Sequence, residues 1–192
     1  MPSLLPRRRQ KIRSGERPAG TGILRDPALT DVPDPTTGGA PRRPADSTVE
    51  MTEIVLPEDS NSRGSIFGGR VLALIDKCAA IVAIRHARSE VVTASLDSVV
   101  FRSGVSVGNV LVLHGRLNAV FSSSMEIEVE VHAEDPLTGA RRLTTRAFVT
   151  MVTLGPGGHP VTAPPLTLET EEDRGRAHAA ATRRRDRIAR RS

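Results

Sequence analysis

The sequence is poor in cysteine and in the larger aromatic residues, and both shortages narrow the range of functions. Among 192 residues there is one cysteine, Cys78, and there is no Trp or Tyr. A lone cysteine excludes an internal disulfide and a cysteine-based metal cluster, and its apolar neighbours predict a small core residue rather than a nucleophile. Without Trp and Tyr the commonest platforms for stacking bases are missing, so we expect no specific binding of nucleic acid.

Apolar runs of membrane-spanning length are absent too. No stretch reaches about 18 apolar residues, and the first residues show no apolar segment followed by a small-residue cleavage site. With 38% hydrophobic residues the chain can nevertheless supply the core of one domain. The sequence therefore predicts a soluble, cytoplasmic protein with no membrane contact.

The sequence also lacks the signatures of metal sites and serine hydrolases. Its histidines show no ligand spacing, at His86, His114, His132, His159 and His178. No GxSxG elbow is present, and the serines at 122–124 lie beside a predicted strand without a neighbouring His to activate them. We therefore expect no metal and no serine triad.

Positive charge is concentrated at the two ends of the chain. Residues 1–50 hold 9 Lys or Arg against 6 Asp or Glu, and residues 169–192 hold 8 against 5. Residues 1–48 are rich in Pro and Gly without a sustained apolar period, which predicts a disordered basic extension; an upstream extension from an early start codon is the open alternative. Residues 169–192 are predicted to be a charged tail that could form a partial helix, Glu171–Arg191.

Five strands are predicted within residues 49–168, the expected folded domain. They are rich in Val, Ile, Thr and Leu and cover Val49–Leu56, Val91–Phe101, Val110–Ala119, Ser123–Ala133 and Arg142–Leu154. Strict alternation in the fourth strand predicts a core-facing side with Met125, Ile127, Val129 and Val131. The other side, which we interpret as a solvated face rather than as paired catalytic carboxylates, has Glu126, Glu128, Glu130 and His132.

One helix is predicted from about Gly68 to Arg88, and it is apolar over most of its circumference. It should therefore be buried by a sheet that wraps it. A polar loop, Asp59–Gly64, precedes it, and the pair Gly68 and Gly69 lets other groups approach its start. Free N–H groups at such a start form a site for an oxyanion.

Asp76 is the single carboxylate on this helix. In a helical projection the basic residues share one side, whereas Asp76 lies about 100° from Lys77, among Leu72 and several alanines. A carboxylate in an apolar wall is easier to protonate, which suits general-base chemistry. An Asp at the edge of the exposed face, or one bonded to a neighbouring loop, is an equal alternative at this point.

Taken together, these residues carry a family resemblance. Pro57–Asn61, Gly64, Ile66–Gly69 and Asp76 resemble the signature of hotdog-fold acyl-CoA thioesterases of the brain-type acyl-CoA hydrolase group and its small bacterial relatives, over about residues 51–168. The resemblance implies an α+β hotdog fold, in which an antiparallel sheet wraps a long central helix and dimerises into a continuous sheet. It also implies an acyl-CoA substrate, no separate cofactor beyond the coenzyme A of that substrate, and a homo-oligomer that is at least a dimer, with a trimer of dimers as an option.

The resemblance further implies roles for individual residues. Asp76 is expected to be the general base or the nucleophile, Asn61 to orient the water or the carbonyl from the partner subunit, and the N–H groups of Gly68 and Gly69 to receive the thioester oxygen. The expected substrate-binding residues are Gly64, Phe67, Arg102, Ser122, Ser123 and Ser124.

The sequence departs from the family pattern after Phe101. Arg102 sits one place earlier than the usual basic residue, Gly104 stands where Pro is common, and Asn109 replaces Asp. Ser122–Ser124 matches a region near bound coenzyme A, although surface serines at a hairpin are equally consistent. A hotdog sensor that binds acyl-CoA without hydrolysis is the alternative function, but it would need an output domain, and no helix-turn-helix pattern is found in residues 1–48.

Overall fold

The structure, a computed structural model, describes residues 39–190. Most of the extension predicted to be disordered, residues 1–38, and the last two residues of the charged tail lie outside this part of the chain. None of the helices within it is both long and apolar enough to cross a membrane.

A single antiparallel sheet of five strands forms the body of the fold. Its strands follow in the spatial order β1-β3-β4-β5-β2. All five predicted strands are present, with ends that differ from the prediction by a few residues. They are β1 (Val49–Ile54), β2 (Glu90–Phe101), β3 (Val110–Phe121), β4 (Ser124–Glu134) and β5 (Arg141–Leu154).

A 20-residue helix, α1 (Gly68–Ala87), lies against one face of this sheet. Its apolar residues and the inward residues of β3, β4 and β5 form one core, in which Cys78 and Ile75 are fully buried. Desolvation by burial raises the pKa of the Cys78 thiol to about 11, so this cysteine is a core residue, as predicted. The helix and the curled sheet confirm the α+β hotdog fold.

α1 packs tightly against the sheet at Gly115 of β3. A Cβ atom built on Gly115 would lie 2.8 Å from both Cys78 Sγ and Val82 Cγ2, which is closer than side-chain contacts normally come. A residue without a side chain at this position therefore lets the helix lie close against β3.

The other face of the sheet, which we call the outer face, is covered by a second helix, α2 (Glu171–Ala189). The prediction that the outward residues of β4 are solvated is wrong for Glu126 and Glu128, which are 1% and 6% exposed. Arg183 of α2 pairs with Glu126 at 2.6 Å, and Arg176 pairs with Glu128. The two carboxylates are buried because α2 brings arginines over them; Glu130 and His132 stay partly exposed.

The start of the described chain, residues 39–48, is ordered and packed, which corrects the prediction of disorder up to residue 48. Arg42 runs beside the segment after β5: its N–H donates to the Pro165 carbonyl at 3.0 Å, and its carbonyl accepts from Thr167 at 2.8 Å. The Arg42 guanidinium donates to the carbonyls of Arg85 and His86 at the end of α1. Proline does not prevent this packing, because Pro44 begins a short 3-10 helix, Pro44–Ser47, where no N–H is needed.

His86 lies beneath this segment and is fully buried. Its Nε2 atom is 2.8 Å from the Pro164 carbonyl oxygen, whereas its Nδ1 atom is buried without a partner among the described residues. A neutral imidazole that donates from Nε2 satisfies this arrangement. Protonation would place a second N–H where nothing accepts it.

We expect Gly115→Ala to lower the free energy of unfolding by about 1–3 kcal/mol, because the added methyl group overpacks the contact with α1. Urea titration followed by circular dichroism measures the change. Gly175→Ala in α2 is the matched control: its Cβ position is open, and a Gly→Ala change inside a helix stabilises by about 0.5–1 kcal/mol. A Gly115→Ala protein as stable as the parent would contradict the close-packing argument.

We also expect His86 to make stability depend on pH. Burial, chiefly, and the nearby Arg42 lower the pKa of this imidazole in the folded state, against a smaller opposite effect from the Pro164 carbonyl and Asp46; in the unfolded chain it returns to about 6.5. At a pH between the folded-state and unfolded-state pKa values of His86, the unfolded state binds more protons than the folded state. The free energy of unfolding should therefore fall as pH decreases from about 7 through the folded-state value.

The comparison with His86→Gln isolates this contribution, because Gln keeps an N–H for the Pro164 carbonyl but does not titrate. Urea midpoints of the parent and the variant are measured from pH 7.5 to pH 5. The parent should lose more stability than the variant over this interval, and parallel losses would show that His86 is not responsible.

Candidate active site

The loop before α1 is folded around Asn61. Its side-chain Oδ1 accepts hydrogen bonds from the N–H groups of Arg63 at 2.9 Å and Ser65 at 3.4 Å. Its carbonyl accepts from the N–H of Gly64 at 2.9 Å. The side-chain amide N–H₂ of Asn61 has no partner in the described part of the chain, so it is free to donate to a bound molecule.

Gly64 shapes this loop. Its φ angle is 70°, in the left-handed region that favours glycine, and its carbonyl accepts a hydrogen bond from the N–H of Val107. The structure thus gives Gly64 a conformational reason to be glycine, and a direct contact with substrate remains a prediction.

The start of α1 has the free N–H groups that the glycine pair predicts. Phe67 precedes the helix and its side chain caps no N–H. Arg70 and Val71 donate to the Phe67 carbonyl. Within residues 39–190, no oxygen accepts from the N–H of Gly68 or Gly69, and both groups are available to an oxyanion.

Asp76 lies midway along α1 and is half-buried. Its Oδ1 accepts a 2.6 Å hydrogen bond from the Thr93 hydroxyl of β2. The environment is therefore intermediate between the two sequence-based alternatives: the carboxylate is neither enclosed in an apolar wall nor free at the surface, and its partner is on a strand rather than a loop. Its Oδ2 has no partner in the described chain and can contact water or substrate.

Thr93 is the residue that the sequence reasoning missed. It follows Val91 by two positions on a strand, so it shares the inward face on which Val91 packs against the core. A register shift between Thr93 and Ser95 marks a bulge just after it. The sequence feature that could have identified Thr93 is a polar residue on the inward face of a strand, because such residues often have a specific hydrogen-bond partner.

One copy of the chain brings only part of the candidate site together. Asn61, Gly68 and Phe101 line a cavity of about 300 Å³ beneath the start of α1, with Val71 and Val105 among its apolar walls. Asp76 is not among the lining residues. Gly68 and Asp76 are eight residues apart on one helix, so about 12 Å separates them along its axis.

The remaining predicted binding residues are at the surface. Arg102 is exposed and its guanidinium has no partner in the described chain; Phe67 is also exposed. The serines form the β3–β4 hairpin, where Ser122 has a φ of 54° and Ser124 Oγ donates to the Phe121 carbonyl at 3.3 Å. None of these serines contacts Asn61, Asp76 or the start of α1 by a hydrogen bond in the described chain, and a contact with coenzyme A remains a prediction.

Strand β2 is an edge of the sheet and carries exposed apolar side chains. Val92, Val100 and Phe101 are 46%, 61% and 46% exposed. An edge strand presents unpaired N–H and C=O groups, and apolar residues along it indicate an interface. Elsewhere in residues 39–190, no three His, Cys, Asp or Glu side chains converge as metal ligands would.

Comparison with known proteins gives a consistent result. The family sequence model of the thioesterase superfamily matches residues 63–140 of this chain. The chain is 41% identical over 128 residues to YkhA of Bacillus subtilis, named an uncharacterized acyl-CoA thioester hydrolase, and the match covers 67% of this chain and 74% of that protein. Among solved structures, the crystal structure of an apo-hexameric acyl-CoA thioesterase has 42% sequence identity to this chain. Its TM-score is 0.76, and the match covers 80% of this chain and 98% of that chain.

An acyl-CoA hydrolase of Staphylococcus aureus, solved in complex with butyryl coenzyme A and coenzyme A, is also similar. It is 32% identical, with a TM-score of 0.73 over 78% of this chain and 92% of that chain. The same enzyme has been solved with alanine in place of an asparagine, an aspartate and a threonine. Those three positions are spaced along that chain as Asn61, Asp76 and Thr93 are spaced along this one.

Proposed function

This chain belongs to the thioesterase superfamily, and from that membership we propose that it hydrolyses acyl-CoA to a carboxylic acid and coenzyme A at a site shared by two copies. Asn61 and the start of α1 come from one copy, and Asp76 with Thr93 comes from the other. The observation that carries the proposal is the half-buried Asp76 carboxylate, held by Thr93 and free at its second oxygen.

The geometry of one copy supports the division. Gly68, which has a free N–H group, and Asn61, which has a free amide, line one cavity, whereas Asp76 lies about 12 Å from Gly68 along the same helix. That distance is too long for a base and an oxyanion donor to act on one thioester carbonyl. A second copy, paired through the apolar edge strand β2, can supply the missing half.

Thioester hydrolysis then follows from these groups. The Asp76 carboxylate takes a proton from a water molecule that attacks the thioester carbonyl, and the N–H groups at Gly68 and Gly69 stabilise the oxygen anion that forms. Asn61 orients the carbonyl or the water. As the carbon–sulfur bond breaks, the proton on Asp76 passes to the departing thiolate. In the alternative covalent route, Asp76 attacks the carbonyl itself and water hydrolyses the mixed anhydride.

The relatives support the substrate class and the assembly. One similar structure is of a hexameric acyl-CoA thioesterase, and another holds butyryl coenzyme A. The alanine variants of the second enzyme, at the same spacings as Asn61, Asp76 and Thr93, support the choice of these three residues.

We expect Asp76→Asn and Asn61→Ala each to lower kcat for acyl-CoA hydrolysis by about 10² or more, because each removes a proton acceptor or an orienting amide. Release of free thiol from a panel of acyl-CoAs of increasing length is the measurement. Asp186→Asn, a change of the same chemistry on α2, should leave kcat unchanged. An Asp76→Asn protein with parental turnover would remove Asp76 from the reaction.

Mixing two inactive variants tests whether the site is shared. Asn61→Ala and Asp76→Ala proteins are co-expressed with different tags, and the mixed oligomers are purified through both tags in turn. In a mixed dimer one of the two sites is intact, so the doubly purified dimers should show about half of the parental activity, and an unsorted equal mixture, in which half of the dimers are mixed, about a quarter. If both residues acted within one copy, every mixture would stay inactive.

A further inference from the structure

Arg70, in the first turn of α1, connects the helix to two other parts of the chain. Its Nη2 donates a 2.6 Å hydrogen bond to Glu53 Oε1 of β1. Its Nε lies 3.0 Å from Asp59 Oδ1, but this N–H does not point at the oxygen, so the contact is an ion pair rather than a hydrogen bond. The Asp59 side chain is only 14% exposed, and water and salt therefore screen the pair less than a surface pair.

The loop that carries Asn61, residues 56–67, contains two short arms that pair with each other. Residues 59–61 form the first arm and residues 65–67 the second, and two backbone hydrogen bonds of 2.8 and 2.9 Å join them. The second arm is also attached to the body of the fold, because the Ile66 N–H donates to the Val105 carbonyl at 2.8 Å.

The first arm, which carries Asn61, is attached to the rest of the fold at one point. Among the described residues, the Asp59–Arg70 pair is the only hydrogen bond or ion pair that links residues 59–61 to a residue outside the loop. The helix is fixed by the core, in which Val71 and Leu74 are buried. Arg70 therefore holds the mobile partner of this contact, the arm, against the fixed one.

We propose that Arg70 is a positioning residue, which holds the first arm against the start of α1 and so keeps the Asn61 amide aligned with the oxyanion site at Gly68. The proposal rests on the proposed function, in which these two groups act on one thioester carbonyl. Arg70 is not expected to bind the phosphates of coenzyme A, because two carboxylates, those of Glu53 and Asp59, already face its guanidinium.

Arg70→Met tests the proposal, because it removes the charge and keeps an extended apolar side chain. Arg146→Met is the matched control: Arg146 also contacts two carboxylates, Glu128 and Glu130, but on the outer face of the sheet. We expect Arg70→Met to lower kcat for acyl-CoA hydrolysis about tenfold with KM within about twofold of the parent, because a misaligned orienting group is felt in the transition state. Arg146→Met should retain parental values.

Two further variants separate positioning from a loss of stability. In an Asn61→Ala background, Arg70→Met should change kcat by less than about twofold, because the amide that Arg70 aligns is gone. Arg70→Lys should give a kcat between those of the parent and Arg70→Met, because a compact ammonium group keeps the charge but not the geometry that contacts both carboxylates.

Mixed oligomers test whether Arg70 acts on Asn61 of its own copy. Arg70→Met is placed either on the Asp76→Ala copy, which supplies the intact Asn61, or on the Asn61→Ala copy, which supplies the intact Asp76. Activity should fall about tenfold in the first mixture and stay within about twofold in the second. Both mixtures carry the substitution once per mixed dimer, so a general loss of stability would affect them equally.

The outcomes distinguish this inference from the proposed function. A parent protein without thioesterase activity would remove both. An active parent in which Arg70→Met and Arg146→Met behave alike would overturn the inference alone, as would a raised KM with unchanged kcat, which indicates substrate binding by Arg70. An equal loss in the Asn61→Ala background would overturn it too. If every mixture were inactive, the shared site would be wrong, and the Asn61→Ala background would decide the inference.

Discussion

The contact of α1 with Gly115 of β3 is the constraint on which the rest of the structure depends. At Gly115 the helix comes so close to β3 that Cys78 and Val82 occupy the space of a side chain. This contact fixes the helix over the sheet. Gly68 in its first turn then lines the cavity beside Asn61, and Asp76 lies next to Thr93 of the edge strand. The position of both candidate half-sites is therefore a consequence of core packing.

The outer face is held by a different kind of interaction. Apart from Ala180, the buried part of α2 is polar, and the helix is attached by pairs such as Arg183 with Glu126 and Arg187 with Asp97. Pairs of this kind contribute little net stability, because taking charges out of water offsets much of their attraction. These ion pairs instead fix the position of α2 on the sheet, because a buried carboxylate without its arginine is strongly unfavourable. The charged face thus specifies where α2 lies.

Local patterns predicted most of the fold, and tertiary contacts account for what they missed. Alternation in β4 correctly separated Met125 from Glu126, but it could not show that arginines about 50 residues downstream would cover the glutamates. The glycine pair predicted the uncapped start of α1. Thr93 was not identified from the sequence, because a single Thr in a strand rich in β-branched residues forms no recognisable motif. Its contact with Asp76 depends on how α1 packs against the sheet. The family resemblance implied that the site is divided between two copies, and the distance between Gly68 and Asp76 along the helix supports that proposal.

The hydrogen bonds that Arg42 makes to the end of α1 and to the segment after β5 limit where this domain can be truncated. The region that matches the superfamily, residues 63–140, contains all of α1, yet the carbonyls at the far end of that helix accept hydrogen bonds from the guanidinium of Arg42. Strand β1, Asn61 and β5 also lie beyond those limits. The superfamily match is therefore shorter than the folding unit, and a fragment trimmed to residues 63–140 would leave the last carbonyls of α1 without the Arg42 guanidinium and the sheet without two of its strands.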